Sequence, residues 1–446
     1  MPDVKSATHL PRRRLLSYAT ASVGYGMIDL PMTVLVLFFY TDVVKLDPAL
    51  AGYGMLAGNL VSAIFDPALG HLSDRTRTVL GRRRPFLLAS AVPLAIAFFL
   101  LWTPFSASHP FANFALVYVA TFMCLTTFLV PYNSLAAELT PDYDERTRIQ
   151  GYRESGHIIG LLIGFLFLFS VEKFDNLRTG YSVMGAIFGV AVAAGIFITL
   201  LAVRENPAFQ RPPQVGAWEG LRLAVSNRHF LWLVATFVPC NIGLYIPTIV
   251  IKHALKYWLN AGDVVLLTYI VASVASLPFW VWLSSKITKK WAYLTALGCS
   301  MVATGAIFFL QPGLVILLFI VFAIAGAGYG ALMILPISIL ADIVDYDELK
   351  TGERREGTYF GAWAFLQKVT VAGAAALVGA TLTRIGLVPD QEQSPATIAG
   401  MRILMALVPA ALLLVSSFVL LPFPFTREVH QKVQETLRQR AGDGQN

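Results

Sequence analysis

Charge is scarce in this chain. Only 14% of its 446 residues are charged, whereas 56% are hydrophobic, and the mean hydropathy is +0.64. Soluble domains carry roughly 25% charged residues, and a water-soluble fold of this length could not cover so much apolar surface. The scarcity of charge argues against a large soluble protein and favours a chain that lies mostly within a membrane.

Cysteine is also scarce. The three cysteines, Cys124, Cys240 and Cys299, each lie in an apolar stretch far from the others in sequence. This spacing fits neither a disulfide framework nor a metal site, and we interpret the three as small packing residues. The N-terminal segment has no short apolar core followed by a small-residue cleavage site, so we expect no cleaved signal peptide.

Long apolar runs dominate the sequence instead. A spanning helix needs about 20 mostly apolar residues. Twelve runs qualify, at approximately 17–42, 49–73, 85–104, 112–138, 156–173, 181–203, 230–251, 263–285, 291–311, 314–341, 357–383 and 399–423. They predict an all-α membrane protein with twelve transmembrane helices in two six-helix bundles. We expect the first bundle in 1–203, a cytoplasmic linker in 204–229, and the second bundle with a cytoplasmic tail in 230–446.

Lysine and arginine concentrate in alternate loops. The loop after the second run carries five arginines, from Arg75 to Arg84, whereas the loops after the third and ninth runs carry no lysine or arginine. The positive-inside rule then predicts that the even-numbered loops and both termini are cytoplasmic, in a multi-pass protein of the cell (inner) membrane. The same rule accounts for the formal net charge of +7. The positive charge thus needs no nucleic acid partner to explain it. We expect a monomer in a lipid bilayer.

The two halves of the sequence resemble each other. Residues 131–148 read PYNSLAAELTPDYDERTR and residues 336–350 read PISILADIVDYDELK. Each segment has a proline, a serine four residues before an acid, and then Asp-Tyr-Asp-Glu. Parallel six-helix repeats of this kind build the major facilitator fold, and chance similarity between two acidic helix ends is the alternative.

A carboxylate, Asp66, interrupts the second apolar run in the stretch FDPALGHLSDRTRTVLGRRRPF, residues 65–86. A charge in hydrocarbon costs about 3 kcal/mol, so Asp66 is expected to face a cavity or a partner. The charged loop that follows predicts a cytoplasmic gate that pairs acids and bases at helix ends, with topological charge as the alternative. The predicted gate residues are Asp74, Arg75, Arg82, Glu138, Asp142, Arg146, Asp342 and Asp345.

Residues 65–86 resemble the loop between helices 2 and 3 of the glycoside–pentoside–hexuronide:cation symporter family, a branch of the major facilitator superfamily that includes the melibiose carrier. Within this stretch, GRRRPF also resembles plant sucrose carriers. FFYTDVVKL in the first half and ADIVDYDELKTGERREGTYFGAWAFLQK in the second support the resemblance. The resemblance implies a secondary transporter for a small solute, a sugar, glycoside or sugar acid, moved by cation-coupled symport with alternating access.

The resemblance also implies that Asp66 belongs to the site of the coupling cation. The chain departs from the family at Ser62 and Leu129, where two further acids of that site would stand, and at Gly26, where the family has a sugar-contacting acid. Sodium needs several oxygen ligands, whereas a proton needs a single buried carboxylate. We therefore expect H+ as the coupling ion, with Na+ as the alternative, and no other cofactor.

Asp29 lies three residues after Gly26, on nearly the same helical face, and could supply the missing carboxylate. Arg153 and Lys368 match a substrate-proximal arginine and a lysine between the two sites of the family, while His157 is either proton-linked or bonded to a neighbouring helix. The predicted cation-coupling residues are Asp66, Asp29, Ser62 and Lys368. The predicted substrate-binding residues are Tyr25, Asp29, Asn133, Arg153, Trp363 and Lys368, with ordinary packing as the alternative for the aromatic side chains.

Other classes of function need features that are missing here. An ATP-driven pump needs a P-loop, and a membrane enzyme needs His, Asp or Glu clustered at one interface, but the seven histidines are dispersed. An intramembrane carboxylate between charged gates suits alternating access better than a channel. The open alternatives are a carrier of a non-sugar organic anion or lysolipid, and an uncoupled facilitator.

Overall fold

The computed structural model describes residues 10–106, 108–140, 142–205, 217–352, 355–424 and 436, without the side chains of 137, 138, 143, 144 and 217–221. Across this part of the chain the regular structure is helical, apart from an isolated bridge between Thr78 and Gly81. The chain divides into two compact units, Met1–Gln214 and Val215–Asn446.

The first unit has six long helices. They are α1 (Arg12–Val34, continuing after a 50° bend as Val36–Val43), α2 (Pro48–Arg75), α3 (Arg84–Leu101), α4 (Pro110–Leu139), α5 (Tyr143–Val171) and α6 (Leu177–Ala202). Pro31 lies inside α1 just before the bend, where its missing N–H and its ring weaken the helix.

The second unit begins with a short helix and continues with six long ones. They are α7 (Ala217–Ser226), α8 (Arg228–Ala254, extended by a π-helical turn at Leu255–Leu259), α9 (Val264–Ala275 and Leu277–Ile287, bent by 41°), α10 (Lys289–Ile307), α11 (Val315–Thr351), α12 (Glu356–Arg384) and α13 (Pro395–Leu420). The predicted linker, 204–229, thus includes α7, which packs against α12, and the first residues of α8.

The helices account for the predicted spans. Nine helices in the described ranges are long and apolar enough to cross a membrane, and the bent pairs at α1 and α9 raise this number to eleven. The twelfth, α10, has 19 residues and begins with two lysines. The predicted all-α architecture of two six-helix bundles is confirmed. Several helices extend beyond the apolar runs, because a helix continues through polar residues once its apolar part is formed.

Local sequence signals set several helix ends. Asp47 accepts from the backbone N–H groups of Ala49 and Leu50, at 2.8 and 3.3 Å, and Pro48 occupies the first position of α2. Such caps satisfy N–H groups that have no partner within the helix. At a helix C-terminus, Gly352 ends α11 with a φ of +75°, a conformation that glycine adopts without a steric penalty.

Helices α1 and α5 approach unusually closely through small residues. A Cβ atom added to Gly26 would lie 2.3 Å from the carbonyl oxygen of His157, and one added to Gly160 would lie 2.2 Å from the carbonyl oxygen of Val23. Small residues permit this contact in membrane helices, where close packing rather than water exclusion holds helices together. The pair α1–α5 is therefore a rigid support for the polar side chains it carries.

Candidate functional site

Asp66 lies at the end of a chain of hydroxyl groups between α2 and α4. Thr126 Oγ1 donates to Asp66 Oδ1 at 2.8 Å, and Ser62 Oγ lies 2.8 Å from Thr126 Oγ1. Because Thr126 uses its proton on Asp66, Ser62 donates to Thr126. Ser62 and Thr126 are buried and Asp66 is half-buried. We call these three residues the Asp66 hydroxyl chain.

The helical repeat explains this arrangement. Ser62 and Asp66 are four residues apart and share one face of α2, and that helix packs along α4. Thr126 escaped the sequence analysis, because a threonine in an apolar run gives no distinguishing signal. Its neighbour Thr127 donates instead within its own helix, to the carbonyl oxygen of Met123 at 2.7 Å, and only the structure tells the two threonines apart.

Asp29 contacts a different helix from Asp66. Its Oδ2 lies 3.3 Å from Nε2 of His157 on α5. Tyr25, one turn earlier on α1, stacks on the same imidazole with ring centroids 4.9 Å apart and planes 11° apart. Tyr25 and Asp29, both predicted to be substrate-binding, thus meet at His157, which the sequence analysis left between two interpretations.

Arg153 and Asn133, both predicted to contact solute, are brought together by α4 and α5. Arg153 Nη1 donates to Asn133 Oδ1 at 2.9 Å, while Arg153 Nε donates to Glu154 Oε1 at 3.1 Å. Arg153 is half-buried and Asn133 is exposed. The guanidinium is thus held in place by an amide and a carboxylate.

The predicted residues of the second unit lie on α12. Trp363 is buried in the hydrophobic core, with its ring centroid 3.9 Å from that of Phe237, as the packing alternative expects. Five residues later, Lys368 is half-buried. Nearby on the same helix, Thr370 Oγ1 donates to Asn241 Oδ1 on α8 at 2.6 Å. The predicted neutralisation of Asp66 or Asp29 by Lys368 would join the two units and stays a prediction.

The arginine-rich loop of residues 76–83 is bound mainly through its backbone. The N–H groups of Arg82, Arg83 and Arg84 donate to the carboxylate of Glu205 at 2.7, 2.7 and 2.9 Å. Gly81, with φ +107°, permits this turn, since a Cβ there would lie 2.6 Å from the Glu205 carboxylate. Glu205, which the sequence analysis places in the linker, therefore caps the start of α3.

Four of the remaining predicted gate residues have contacts inside their own units: Asp74, Asp142, Arg146 and Asp342. The Arg83 side chain pairs with Asp74 and donates to Ser73, and Asp342 pairs with Lys289 at 2.7 Å. Asp142 accepts a hydrogen bond from the N–H of Glu145 at 2.8 Å, and Arg146 Nε donates to the carbonyl oxygen of Thr140 at 2.9 Å. Of the other predicted gate residues, Arg75 is exposed and Asp345 is half-buried. The Glu138 side chain lies outside the described residues.

The gate prediction missed three residues that the structure shows in these contacts: Arg83, Glu205 and Lys289. The basic loop pattern gives a signal for Arg83 and Lys289, because each follows the second long helix of its repeat. Glu205 has no such signal, because a single acid after an apolar run is common.

Comparison with known proteins gives a consistent result. The family described as MFS/sugar transport protein, within the major facilitator superfamily, matches residues 17–427. An uncharacterized symporter of Synechocystis sp. is 27% identical, and the match covers 99% of each chain. A putative sulfoquinovose importer of Escherichia coli is 26% identical over 92% of this chain and 89% of the relative.

A solved structure has a similar fold. A bacterial homolog of the human lysosomal transporter Spinster superposes with a TM-score of 0.65 at 18% identity, covering 94% of this chain and 99% of the other. At this identity the likeness concerns the fold alone, and it agrees with the predicted twelve-helix architecture.

Proposed function

Because this chain belongs to the MFS/sugar transport protein family, we propose that it is a proton-coupled symporter of a sugar, glycoside or sugar acid that works by alternating access. Membership makes it a membrane transporter and not an enzyme. It also confirms the resemblance drawn from residues 65–86. The coupling ion, the solute and the orientation in the membrane are parts of the proposal.

The observation that carries the proposal is the Asp66 hydroxyl chain. A hydroxyl group both donates and accepts hydrogen bonds, so the chain suits both states of the carboxyl group. When Asp66 is ionised, protons of Ser62 and Thr126 point toward it. When Asp66 is protonated, it donates to Thr126, which then donates to Ser62. A site that accommodates both states without rearranging its heavy atoms supports reversible binding of a proton.

The ligand chemistry around Asp66 supports a proton over sodium. Hard cations such as sodium are held by several oxygen ligands, and carboxylates are the strongest of these. Here Ser62 and Leu129 occupy the positions at which the family resemblance implies two further acids. Within the described residues, no group of three or more His, Cys, Asp and Glu side chains could hold a metal ion.

The chemistry of Arg153 supports a sugar or a sugar acid as solute. A guanidinium held by Asn133 can donate to hydroxyl or carboxylate oxygens, and one relative is named for sulfoquinovose import. We propose Tyr25, Asp29, Asn133 and Arg153 as solute contacts of the first unit. The same arginine would suit a non-sugar organic anion, which is the second candidate.

The distribution of basic residues supports the proposed topology. The arginine-rich loop and the lysines at the start of α10 follow even-numbered predicted spans, and the positive-inside rule places such loops in the cytoplasm. We propose a monomer in the cell (inner) membrane with both termini cytoplasmic. Cysteine labelling from each side of sealed vesicles would test this orientation.

Uptake into proteoliposomes tests the proposed function. Labelled neutral glycosides and sugar acids are offered with an inward proton gradient, with a sodium gradient, and with neither. We expect at least one compound to accumulate only with the proton gradient. Asp66→Asn should lower that accumulation at least about tenfold, since a loss of about 1.4 kcal/mol of coupling free energy suffices for this. Exchange of solute across the membrane can persist in this variant.

Two further measurements make the outcome decisive. Size-exclusion profiles of wild type and Asp66→Asn check folding, and Asp66→Glu should restore part of the gradient response because it keeps the titratable group. Undiminished accumulation by Asp66→Asn would contradict the coupling role. Equal uptake with and without gradients would identify an uncoupled facilitator.

A further inference from the structure

A second group of ionisable side chains lies on the facing sides of α1 and α5. Asp29 comes from α1, and Arg153, Glu154 and His157 occupy two neighbouring turns of α5. Two carboxylates and one guanidinium leave this group with one negative charge in excess when the imidazole is neutral. One proton on His157 removes the excess, and excess charge is costly in membrane-spanning helices.

The imidazole is positioned for this role. Its Nε2 lies 3.3 Å from Asp29 Oδ2, and the side chains of His157 and Asp29 are 24% and 33% exposed. The Nε2 atom itself is buried and has no hydrogen-bond partner among the described residues, so a proton on it would lie against the Asp29 carboxylate. The Tyr25 ring covers one face of the imidazole, with planes only 11° apart, and so constrains the plane of the imidazole ring.

The support beneath the pair is rigid. Gly26 and Gly160 bring the two backbones into direct contact, and Gly156 adds a third close approach, with a Cβ position 2.8 Å from the carbonyl oxygen of Ala19. Helices packed in this way cannot separate without losing their contact surface. A change in the protonation of His157 therefore changes the charge at a fixed place and leaves the spacing of α1 and α5 as it is.

The other helices around this pair add little charge. Helix α6 packs against α1 and α5, and its only charged residue is Arg178, near its start. Helix α4 contributes Asn133 to Arg153. Tyr18 and Tyr132, on α1 and α4, each donate to the carbonyl oxygen of the other, at 2.9 and 2.7 Å. Among the described side chains of the first unit, the charged groups that act on His157 are Asp29, Glu154 and Arg153, and Tyr25 stacks on its ring.

We propose that Asp29 and His157 together form a second proton-binding site, built from α1 and α5 and separate from the Asp66 hydroxyl chain, with Tyr25 as its positioning residue. Protonation forms one N–H bond on His157 and breaks one O–H bond of hydronium, and release of the proton to water reverses both changes. The proton on His157 sets the charge beside Arg153, a proposed solute contact. Its role in coupling therefore rests on the proposed function. Its binding does not depend on that function.

Nuclear magnetic resonance of the full-length protein tests the site without any solute. Histidines are labelled with 15N, and the His157 signal is identified as the one missing in His157→Gln. In the wild type this signal should change with pH as one proton binds. In Asp29→Asn the same change should require a proton concentration at least about tenfold higher. An opposite charge within about 4–6 Å favours the protonated imidazole by about tenfold or more, and this variant removes that charge.

A matched control is available on α2. His71 is exposed on a different helix, so its signal at any given pH should be the same in wild type and Asp29→Asn. Asp29→Glu keeps the charge and should restore most of the wild-type behaviour of His157, which guards against a general effect of substituting this position. Tyr25→Phe keeps the stacked ring and should leave the titration unchanged, whereas Tyr25→Ala should broaden or shift it.

Two results would overturn the proposal. One is a His157 signal that titrates identically in wild type and Asp29→Asn. The other is a signal that shows no titration between about pH 5 and pH 9, a window that contains the range in which imidazole normally titrates. The uptake experiment on Asp66 is independent of both. A coupled Asp29–His157 titration without gradient-driven uptake would retain the proton site and reject symport. Gradient-driven uptake together with a His157 titration that does not depend on Asp29 would retain symport and reject the second proton site.

Discussion

The two six-helix units share a plan of helices but differ in the chemistry they carry. The first unit places acids, Asp29 and Asp66, along its membrane-type helices, each against a polar partner from a facing helix. The second places a neutral pair, Thr370 and Asn241, at a buried position and a lysine, Lys368, on the same helix. The repeated architecture thus carries different sets of ionisable groups: the two acids proposed to bind protons lie in the first unit, whereas Asp263 and Asp342 of the second unit pair with lysines.

The loops differ as well. In the first unit, Arg83 at the edge of α3 pairs back to Asp74 on the preceding helix, and Glu205 holds the backbone beside it. In the second unit, Lys289 at the start of α10 pairs forward to Asp342 on α11. The position in the repeat is similar, but the partner is not, so the end of each bundle is held by its own contacts.

The largest expected effect concerns helix contact in the first unit. Gly160→Val should destabilise the protein by about 3 kcal/mol, because overpacking against a backbone oxygen forces the helices apart. The matched change in the second unit is Gly373→Ala, where an added Cβ meets nothing within 4 Å. That change should be neutral or stabilising by up to about 1 kcal/mol.

Thermal unfolding followed by dye fluorescence measures both glycine variants. A similar melting temperature for Gly160→Val and wild type would show that the close approach of α1 and α5 is not required, and would weaken the contrast between the units.

The next effect concerns the cap of α3. Glu205→Ala should cost about 2 kcal/mol, because it leaves three backbone N–H groups of the arginine-rich loop without their acceptor. Glu205→Gln keeps an acceptor oxygen and loses only the charge, so its cost should be smaller. Limited trypsin digestion at the loop arginines reports the change directly, and equal cleavage of wild type and Glu205→Ala would contradict the capping role.

A third effect separates two neighbouring threonines. Thr126→Ala should reduce proton-driven accumulation about tenfold, since a hydrogen bond to a charged group is worth about 1.5–3 kcal/mol. Thr127→Ala should leave accumulation close to wild type, because that hydroxyl bonds only within α4 among the contacts described. Vesicle uptake under a proton gradient compares them, and equal losses would show that the Asp66 hydroxyl chain has no special role.

The smallest effect concerns the two loop pairs. Lys289→Gln should cost about 1 kcal/mol, because the lysine side chain is 36% exposed while that of its partner Asp342 is 11% exposed. Arg83→Gln should cost more, since that side chain is only 7% exposed and also bonds to Ser73. Melting temperatures of the two variants rank these contributions, and a greater loss for Lys289→Gln would reverse the comparison.

Much of the fold follows from the sequence, because apolar length and basic loops are one-dimensional properties. The resemblance around residues 65–86 also predicts Asp66 as a functional carboxylate. Thr126 and Glu205 could not be predicted for a physical reason: each acts through hydrogen bonds to residues distant in sequence, and neither its residue type nor its neighbours in sequence distinguish it. His157 was recognised, but its partner on α1 could be identified only from the packing of α1 against α5.

The carboxylate of Glu205 also determines where this polypeptide could be cut into two separately expressed fragments. A fragment that stops at 203 would include every helix of the amino-terminal bundle and yet lack the acceptor for the turn that starts α3. Extending it by two residues restores that acceptor. The functional boundary of the first fragment is therefore defined by a hydrogen-bonding requirement rather than by the last apolar residue.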